Sequence, residues 1–322
     1  MNQVVATTEL NTVFDGCKIL KKELLDGLSA KEKYINPKFF YDEYGSQLFE
    51  KIMELPEYYP SRTEIALLKK YQAEISETIG VGKVLIEPGA GNCEKVQYIL
   101  PLLKPDCYMP IDISADFLFE CAIKLQHKFP EIKIHAVAGD MKADVIVPKK
   151  FRNNDKVIFY PGSTIGNYKP ADALSFLKHV RKLVGKQGGL LIGVDLQKDK
   201  DILNAAYNDQ QGITALFNLN VLNHVNKLLG SDINIELFEH ISFYNEEQSR
   251  IEMHLESQSD HTCNLDEFSE VTFSEKERIH TEYSYKYTVE SFSELVSEAG
   301  LKLKKFWLDD NKLFSIQYYI DC

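Results

Sequence analysis

Residues 84–95, VLIEPGAGNCEK, constrain the fold more than any other stretch of the chain. Val84, Leu85, Ile86 and Glu87 read as a short buried strand. Pro88, Gly89, Ala90 and Gly91 turn the chain sharply, and a helical pattern follows over 94–103. Glycine lacks a Cβ and takes φ > 0, so such a turn lets ligand atoms come close to backbone. A strand end aims the turn at the ligand crevice of an open α/β sheet. A dinucleotide fingerprint needs a third glycine three residues after the second. Glu94 stands there, and its charge opposes a pyrophosphate at a helix N-terminus. Two readings remain: a nucleoside ligand without phosphate, or an ordinary βα turn.

Downstream the alternation of strands and helices is regular. Residues 107–113 are expected as a strand ending in Asp112, and 114–128 as a helix with Ser114 at its N-cap. Strands over 132–138, before Gly139 and Asp140, and over 156–160, before the loop 162–167, come next. A helix over 170–185 and a strand over 190–194, ending in Asp195, complete the run. Upstream, apolar residues at three- and four-residue steps predict helices over 9–29 and 63–79. Between these helices lie Phe39, Phe40, Tyr41, Tyr44, Phe49, Tyr58 and Tyr59, and Pro60 predicts an extended turn.

Short β-branched runs alternating with helices imply a mostly parallel sheet. After Leu196 the regularity breaks. A helical pattern over 199–228, a hairpin turning at 245–248 and an extended segment over 271–286 precede a helix over 289–299 and a hairpin turning at 309–311. A closing helix and hairpin beside a parallel sheet fit the methyltransferase arrangement that uses S-adenosylmethionine (SAM). The expected fold class is therefore α/β, a Rossmann-like SAM-dependent methyltransferase sheet with an inserted α+β substrate-binding domain. The expected SAM-binding domain is 66–196 plus 288–322, and the expected substrate domain is 1–65 plus 197–287.

Charge and cysteine usage exclude several classes. A formal net charge of -11 argues against a nucleic-acid partner, whose binding rests on basic patches. It equally disfavours an anionic membrane surface. No secretory signal and no membrane span is read. The 6 cysteines are scattered without a C-x-x-C pair, as reduced thiols of a cytoplasmic protein would be. The 8 histidines lack metal-ligand spacing, so no metal is expected. No coiled-coil or exposed apolar helix is evident, and a monomer is expected.

The strand ends carry the chemistry. Glu87 suits a positive amino-acid end such as that of SAM. Asp112 stands where a carboxylate can accept both ribose hydroxyls, and Asp140 can accept from an adenine amino group. Each acid also reads as a helix cap or a solvated turn residue; three at consecutive strand ends favour a nucleoside site. A sulfonium methyl is already activated, so the enzyme must mainly align an uncharged nucleophile with the S–CH₃ bond. Aromatic faces stabilise the cation, which the tyrosine-rich stretch supplies.

Several long motifs give a more specific reading: FFYDEYGSQLFEKIMELPEYYPSRTE, GSTIGNYKP, AAYNDQQGITALFNLNVL, FYNEEQSRIEMHL and TEYSYKY. Together they resemble the histidine Nα-methyltransferases of ergothioneine biosynthesis, from about Asn36 to the C-terminus. The resemblance implies that SAM trimethylates the α-amino group of L-histidine, giving hercynine and S-adenosylhomocysteine. It implies cofactor contacts at Tyr41, Gly89, Lys95, Asp112 and Asp140. It places Tyr58 beside the substrate amine, as the catalytic residue, and Asn167 and Tyr207 at the substrate carboxylate. Glu282 and Ser284 match the pair that binds imidazole. A carboxylate accepts a ring N–H and a hydroxyl donates or accepts; without the resemblance Glu282 reads as a solvated strand carboxylate. The chain departs from the family at Pro88, Ala90, Asn92 and Cys93 of the turn. The alternatives are an N-methyltransferase of another amino acid or small amine, and a non-catalytic SAM-binding protein.

Overall fold

A computed structural model describes residues 5–8, 13–139, 147 and 149–322. In chain order its strands are β1 (Val5–Thr8), β2 (Val84–Pro88), β3 (Cys107–Asp112), β4 (His135–Ala138), β5 (Lys156–Tyr160), β6 (Gly189–Asp195), β7 (Phe238–Asn245), β8 (Arg250–Ser257), β9 (His261–Asn264), β10 (Glu270–Phe273), β11 (Arg278–Tyr285), β12 (Leu301–Leu308) and β13 (Phe314–Asp321). The chain divides into two compact units. One comprises Met1–Leu10, Pro60–Leu196 and Tyr287–Cys322; the other comprises Asn11–Tyr59 and Gln197–Lys286. The leading ten residues, expected in the substrate domain, thus go with the first unit, because β1 pairs in parallel with β4.

The first unit is an eight-stranded sheet in the order β1-β4-β3-β2-β5-β6-β13-β12. The strands from β1 to β6 pair in parallel, and β13 runs antiparallel to both β6 and β12. All five residues of β2 and all seven of β6 are buried, as a sheet covered on both faces requires. Successive residues of β2 serve opposite cores. Leu85 packs with Leu67, Leu68, Leu118 and Ala122 of the flanking helices. Val84 and Ile86 pack with Leu177, Val180, Phe292 and Val296. From β2 the strand order runs outward through β3 to β4, then resumes on the other side with β5. The reversal between β2 and β5 is the switch point where open α/β sheets take their ligands.

The α/β class is as expected, and the differences in detail have local causes. The pattern over 94–103 is a 3₁₀ turn, Lys95–Tyr98, and a short helix, Leu100–Leu103. Pro101 has no N–H to give a continuous helix and its ring would meet the carbonyl four residues back. Pro60 starts a helix, Tyr59–Ile79, rather than an extended turn, because proline is tolerated where the first N–H groups have no intrahelical partner. The helical pattern over 199–228 is two helices, Lys200–Tyr207 and Ile213–Leu229. Asp209 breaks it by accepting from the N–H groups of Ile213 at 2.9 Å and Thr214 at 2.8 Å. The extended segment 271–286 is parts of two strands, β10 and β11. The strand expected over 132–138 forms its ladder only at His135–Ala138.

The second unit holds an antiparallel sheet in the order β11-β8-β7 and a ribbon, β10-β9. Phe217, Val221, Leu222 and Val225 of the helix Ile213–Leu229 are buried, as are Leu48 and Ile52 of the neighbouring helix Glu43–Glu54. The pairing of β11 with β8 shifts register between His280 and Glu282.

The helix Val289–Glu298 opens with a reciprocal cap in which Thr288 and Ser291 each accept from the other's backbone N–H. Thr288→Ala should lower unfolding stability by about 1 kcal/mol, read as a reduced denaturation midpoint with unchanged slope.

Candidate active site

At the end of β2, Gly89 (φ +63) and Gly91 (φ +50) hold a left-handed backbone, and a Cβ built on either would meet nothing within 4 Å. The space beside both glycines is therefore open, so side-chain packing does not account for them. It is tied to β3 at two points. Ala90 N–H donates to the Ile111 carbonyl at 3.1 Å. Gly91 N–H donates to Asp112 Oδ2 at 3.0 Å, while Asp112 Oδ1 accepts from Ser114 N–H at 2.9 Å. Asp112, not the Ser114 side chain, thus serves the following helix. Each carboxylate oxygen keeps acceptor capacity for a ribose hydroxyl.

Glu87 differs from the expectation. It is buried and accepts from the Tyr108 hydroxyl. Burial pushes its pKa up to about 8, against the Tyr108 hydrogen bond and the Lys95 charge. Burial thus weighs against the negative charge with which Glu87 was expected to meet a cationic ligand.

Lys95 has a partner the sequence did not reveal. Its ammonium lies 2.7 Å from Glu64 Oε2, and the Glu64 carboxylate also accepts from Gly162 N–H at 3.0 and 2.9 Å. Glu64 is 1% exposed. It occupies a slot left by β6, where a Cβ on Gly193 would stand 2.0 Å from Glu64 Oε1. The sequence carries a signal for this residue. Glu64 lies three and four positions before Leu67 and Leu68, on the apolar stripe of its helix, where a solvated acid does not belong.

Asn167 ends a 3₁₀ turn, Thr164–Asn167, beyond β5. Ser163 pins that turn: its carbonyl accepts from Gly166 N–H at 2.8 Å and its hydroxyl from Asp195 N–H at 2.9 Å. Asp140 lies outside the described residues.

In the second unit the register shift re-aims β11. Strict alternation from Ile279, which faces Leu255, would turn Glu282 and Ser284 to the opposite face. One extra residue brings Glu282 opposite Met253 and Ser284 opposite Ile251. Glu282, Ser284 and Lys286 are all buried. Ser284 Oγ accepts from the Tyr207 hydroxyl at 2.9 Å and from Lys286 Nζ at 2.7 Å; Lys286 Nζ also donates to the Tyr207 oxygen at 3.1 Å. Tyr207 meets Tyr58 edge-on, with ring centroids 6.4 Å apart, and Phe49 links Tyr58 to Tyr41.

The structure thus gathers Tyr58, Tyr207, Ser284, Glu282 and Tyr41 in the second unit, and Gly89, Lys95, Asp112 and Asn167 in the first. Lys286 went unassigned, although its place two residues after Ser284 and four after Glu282 is the strand-period signal that marks it.

A parallel sheet closed by one reversed strand, with an open glycine turn braced by an acid of the next strand, defines a SAM-dependent methyltransferase. Among the described residues no cluster of His, Cys, Asp and Glu could hold a metal ion, and no helix is long and apolar enough to cross a membrane. The chain belongs to the family described as "Histidine-specific methyltransferase, SAM-dependent", which matches residues 20–320, beginning upstream of the motifs that first carry the resemblance. Histidine N-alpha-methyltransferase of Mycolicibacterium smegmatis is 36% identical, over 90% of this chain and 91% of that protein. Its namesake from Mycobacterium tuberculosis is 33% identical, with the same coverage of 90% and 91%. The 4-dimethylallyltryptophan N-methyltransferase of Claviceps purpurea is 24% identical over 90% of this chain and 92% of that protein.

Gly193→Ala should push Glu64 off Lys95 and Gly162. Loss of a buried group's partner costs about 1–3 kcal/mol, so calorimetric titration with S-adenosylhomocysteine should show affinity reduced about tenfold. Unchanged affinity would show that the pair does not support the cofactor face.

Proposed function

We propose that the protein transfers methyl groups from SAM to the α-amino group of L-histidine, in three rounds, giving hercynine and S-adenosylhomocysteine. The observation that carries this reading is the polar face of β11. A carboxylate and a hydroxyl, buried side by side, suit a ring with both a donor and an acceptor; a phenyl ring would leave both unpaired, and an indole, which can only donate, would not match the pair. The family match and the histidine-named relatives support it.

The first unit fits the cofactor, since the space over Gly89 and Gly91 is open and Asp112 keeps acceptor capacity. Gly89, Lys95, Asp112, Asp140 and Tyr41 are assigned to hold it. SAM supplies a methyl group already activated on a sulfonium centre. The chain's own part is to present an amine lone pair along the right line. The α-amino group of a free amino acid titrates above neutrality, near pH 8 in model peptides. Tyr58 accepts a hydrogen bond from the neutral amine and turns its lone pair outward. Asn167 holds the substrate carboxylate. Tyr207 is assigned to that carboxylate too, and its bond to Ser284 links it to the groups assigned to the ring. As methyl groups accumulate the amine loses its N–H donors. The faces of Tyr58 and Tyr207 then suit the quaternary cation.

The rival substrate reading is another amino acid, and a relative named for a tryptophan derivative gives it weight. The buried charge at Glu282 and Lys286 opposes an apolar ring here. Mass spectrometry after incubation with SAM and each of the twenty amino acids decides. A gain of three methyl groups on histidine alone is expected; a gain on another amino acid would discard the roles of Glu282 and Ser284. Glu282→Ala should raise the histidine Kd by about tenfold or more while leaving S-adenosylhomocysteine binding nearly intact. Equal loss of both ligands would remove Glu282 from the imidazole site.

A further inference from the structure

We propose that Lys286 is a positioning residue that fixes the direction of hydrogen bonding at Ser284, so that the pocket takes the substrate ring only as neutral imidazole. The inference rests on the histidine reading above and goes beyond it to a residue and a protonation state.

The argument is one of donor counting. A serine hydroxyl has one proton and two lone pairs, and a lysine ammonium can only donate. Ser284 Oγ accepts from Lys286 Nζ at 2.7 Å and from the Tyr207 hydroxyl at 2.9 Å. Both lone pairs are engaged, and the Ser284 proton is left to point at the ligand. Tyr207 cannot take that proton while it donates its own, and its oxygen already accepts from Lys286 at 3.1 Å. A neutral side chain at 286 could reverse its hydrogen bonds; an ammonium cannot. Lys286 is itself fixed, with its N–H on the Ser249 carbonyl at 2.8 Å, its carbonyl accepting from Gln197 at 3.2 Å, and 2% of its surface exposed.

Glu282, two residues before Ser284 on the same face of β11, offers an acceptor. The pocket therefore presents one acceptor and one donor. Neutral imidazole carries one N–H and one bare nitrogen, and matches both. Imidazolium carries two N–H groups and sets one of them against the Ser284 proton.

The charged and titratable groups that act on Glu282 are Lys286, in line with it on the same strand face, and Tyr41; Tyr207 from the helix Lys200–Tyr207 meets Lys286. Across β8 its neighbours are Met253 and Ile251, while Arg250 and Glu252 pair with each other on the opposite face. Burial raises the Glu282 pKa to about 7, and the Lys286 charge opposes the rise. The sign follows. On acidification Glu282 gains a proton and ceases to be a pure acceptor, and below about 6.5 free imidazole gains a charge. Both changes weaken histidine binding as pH falls. Removing Lys286 lifts Glu282 further and moves the loss to higher pH.

The test compares histidine with its 1,2,4-triazole analogue, whose ring stays neutral over the range. Both are titrated calorimetrically from about pH 5.5 to 8.5 into the full-length protein loaded with S-adenosylhomocysteine. In the wild type both ligands should weaken through the Glu282 titration, and histidine should weaken further, by about tenfold per pH unit below 6.5. In Lys286→Met, histidine should bind on the order of ten- to a hundredfold more weakly near neutrality. Its pH midpoint should rise, and the gap between the two ligands at acid pH should close. Ser284→Ala should close the gap without moving the midpoint, and S-adenosylhomocysteine binding confirms that each variant is folded. Histidine binding with no gap in the wild type, or a gap and midpoint unchanged in Lys286→Met, overturns the inference alone. Absence of histidine binding at every pH overturns the substrate reading and this inference with it.

Discussion

Taking a charged group out of water costs several kcal/mol unless partners replace the lost hydration, and each unit of this chain sets a lysine and a carboxylate away from solvent. In the first unit the pair is direct: Lys95 meets Glu64, which also accepts from Gly162 N–H. In the second, Lys286 meets two hydroxyls, and Glu282 stands on the same strand face. The difference has a chemical meaning. Glu64 is partnered from within and holds Lys95 and the loop after β5 in place. Glu282 is buried with acceptor capacity still to be met, and a ligand with an N–H is the natural means of meeting it.

Both arrangements depend on backbone irregularities rather than on side-chain choice alone. Gly193 sits inside an otherwise aliphatic central strand, where a side chain would pack well; its missing Cβ is the volume into which Glu64 projects. The extra residue in β11 does the corresponding task in the second unit. It changes which face of the sheet the residues after Thr281 occupy, so an acid and a hydroxyl arrive among Ile251 and Met253 instead of beside Arg250 and Glu252. A bulge costs a ladder hydrogen bond and gains a re-aimed side chain, which explains why such features gather near binding sites.

The sheet was legible in the sequence because its strands are short, β-branched and buried on both faces, and the helices between them carry a clear apolar period. The hairpin at the end was legible from its turn residues. Less was readable where one residue's effect depends on its position within an element. Pro60 stands at the start of a long helix, whereas Pro101 stands at the start of a short one that follows a 3₁₀ turn, so a proline alone does not tell how the helix around it divides. β1 was missed because four residues without alternation carry no period. The site residues divide in the same way. Gly89, Asp112 and Lys95 stand next to a recognisable turn. Glu64 is a charge within an apolar periodic pattern, and Lys286 closes a polar strand face; Lys95 and Tyr207, which they meet, lie far away in the chain, so these contacts show only when the fold is in place.

A family whose relatives bear the names of a histidine enzyme and a tryptophan-derivative enzyme must separate what holds the cofactor from what reads the ring. On the function proposed above, this chain does so by strand. The glycine turn, Asp112 and the Lys95–Glu64 pair all lie in the first unit and make no reference to the substrate's side chain. The groups proposed to read the ring lie on one face of β11 and its continuation at Lys286, together with Tyr207 from another element. Three alternate positions of a single strand then determine whether the pocket is polar, and in which direction its hydrogen bonds run. Apolar residues at 282, 284 and 286 would remove the buried charge and the fixed donor together, leaving the aromatic surroundings of Tyr58 and Phe49 for a larger ring. Replacing Ser284 alone would take one of two hydroxyl partners from the buried Lys286 ammonium, which makes such an intermediate pocket worse than either end state. The polarity of the ring site is therefore a property of the three positions acting as a unit.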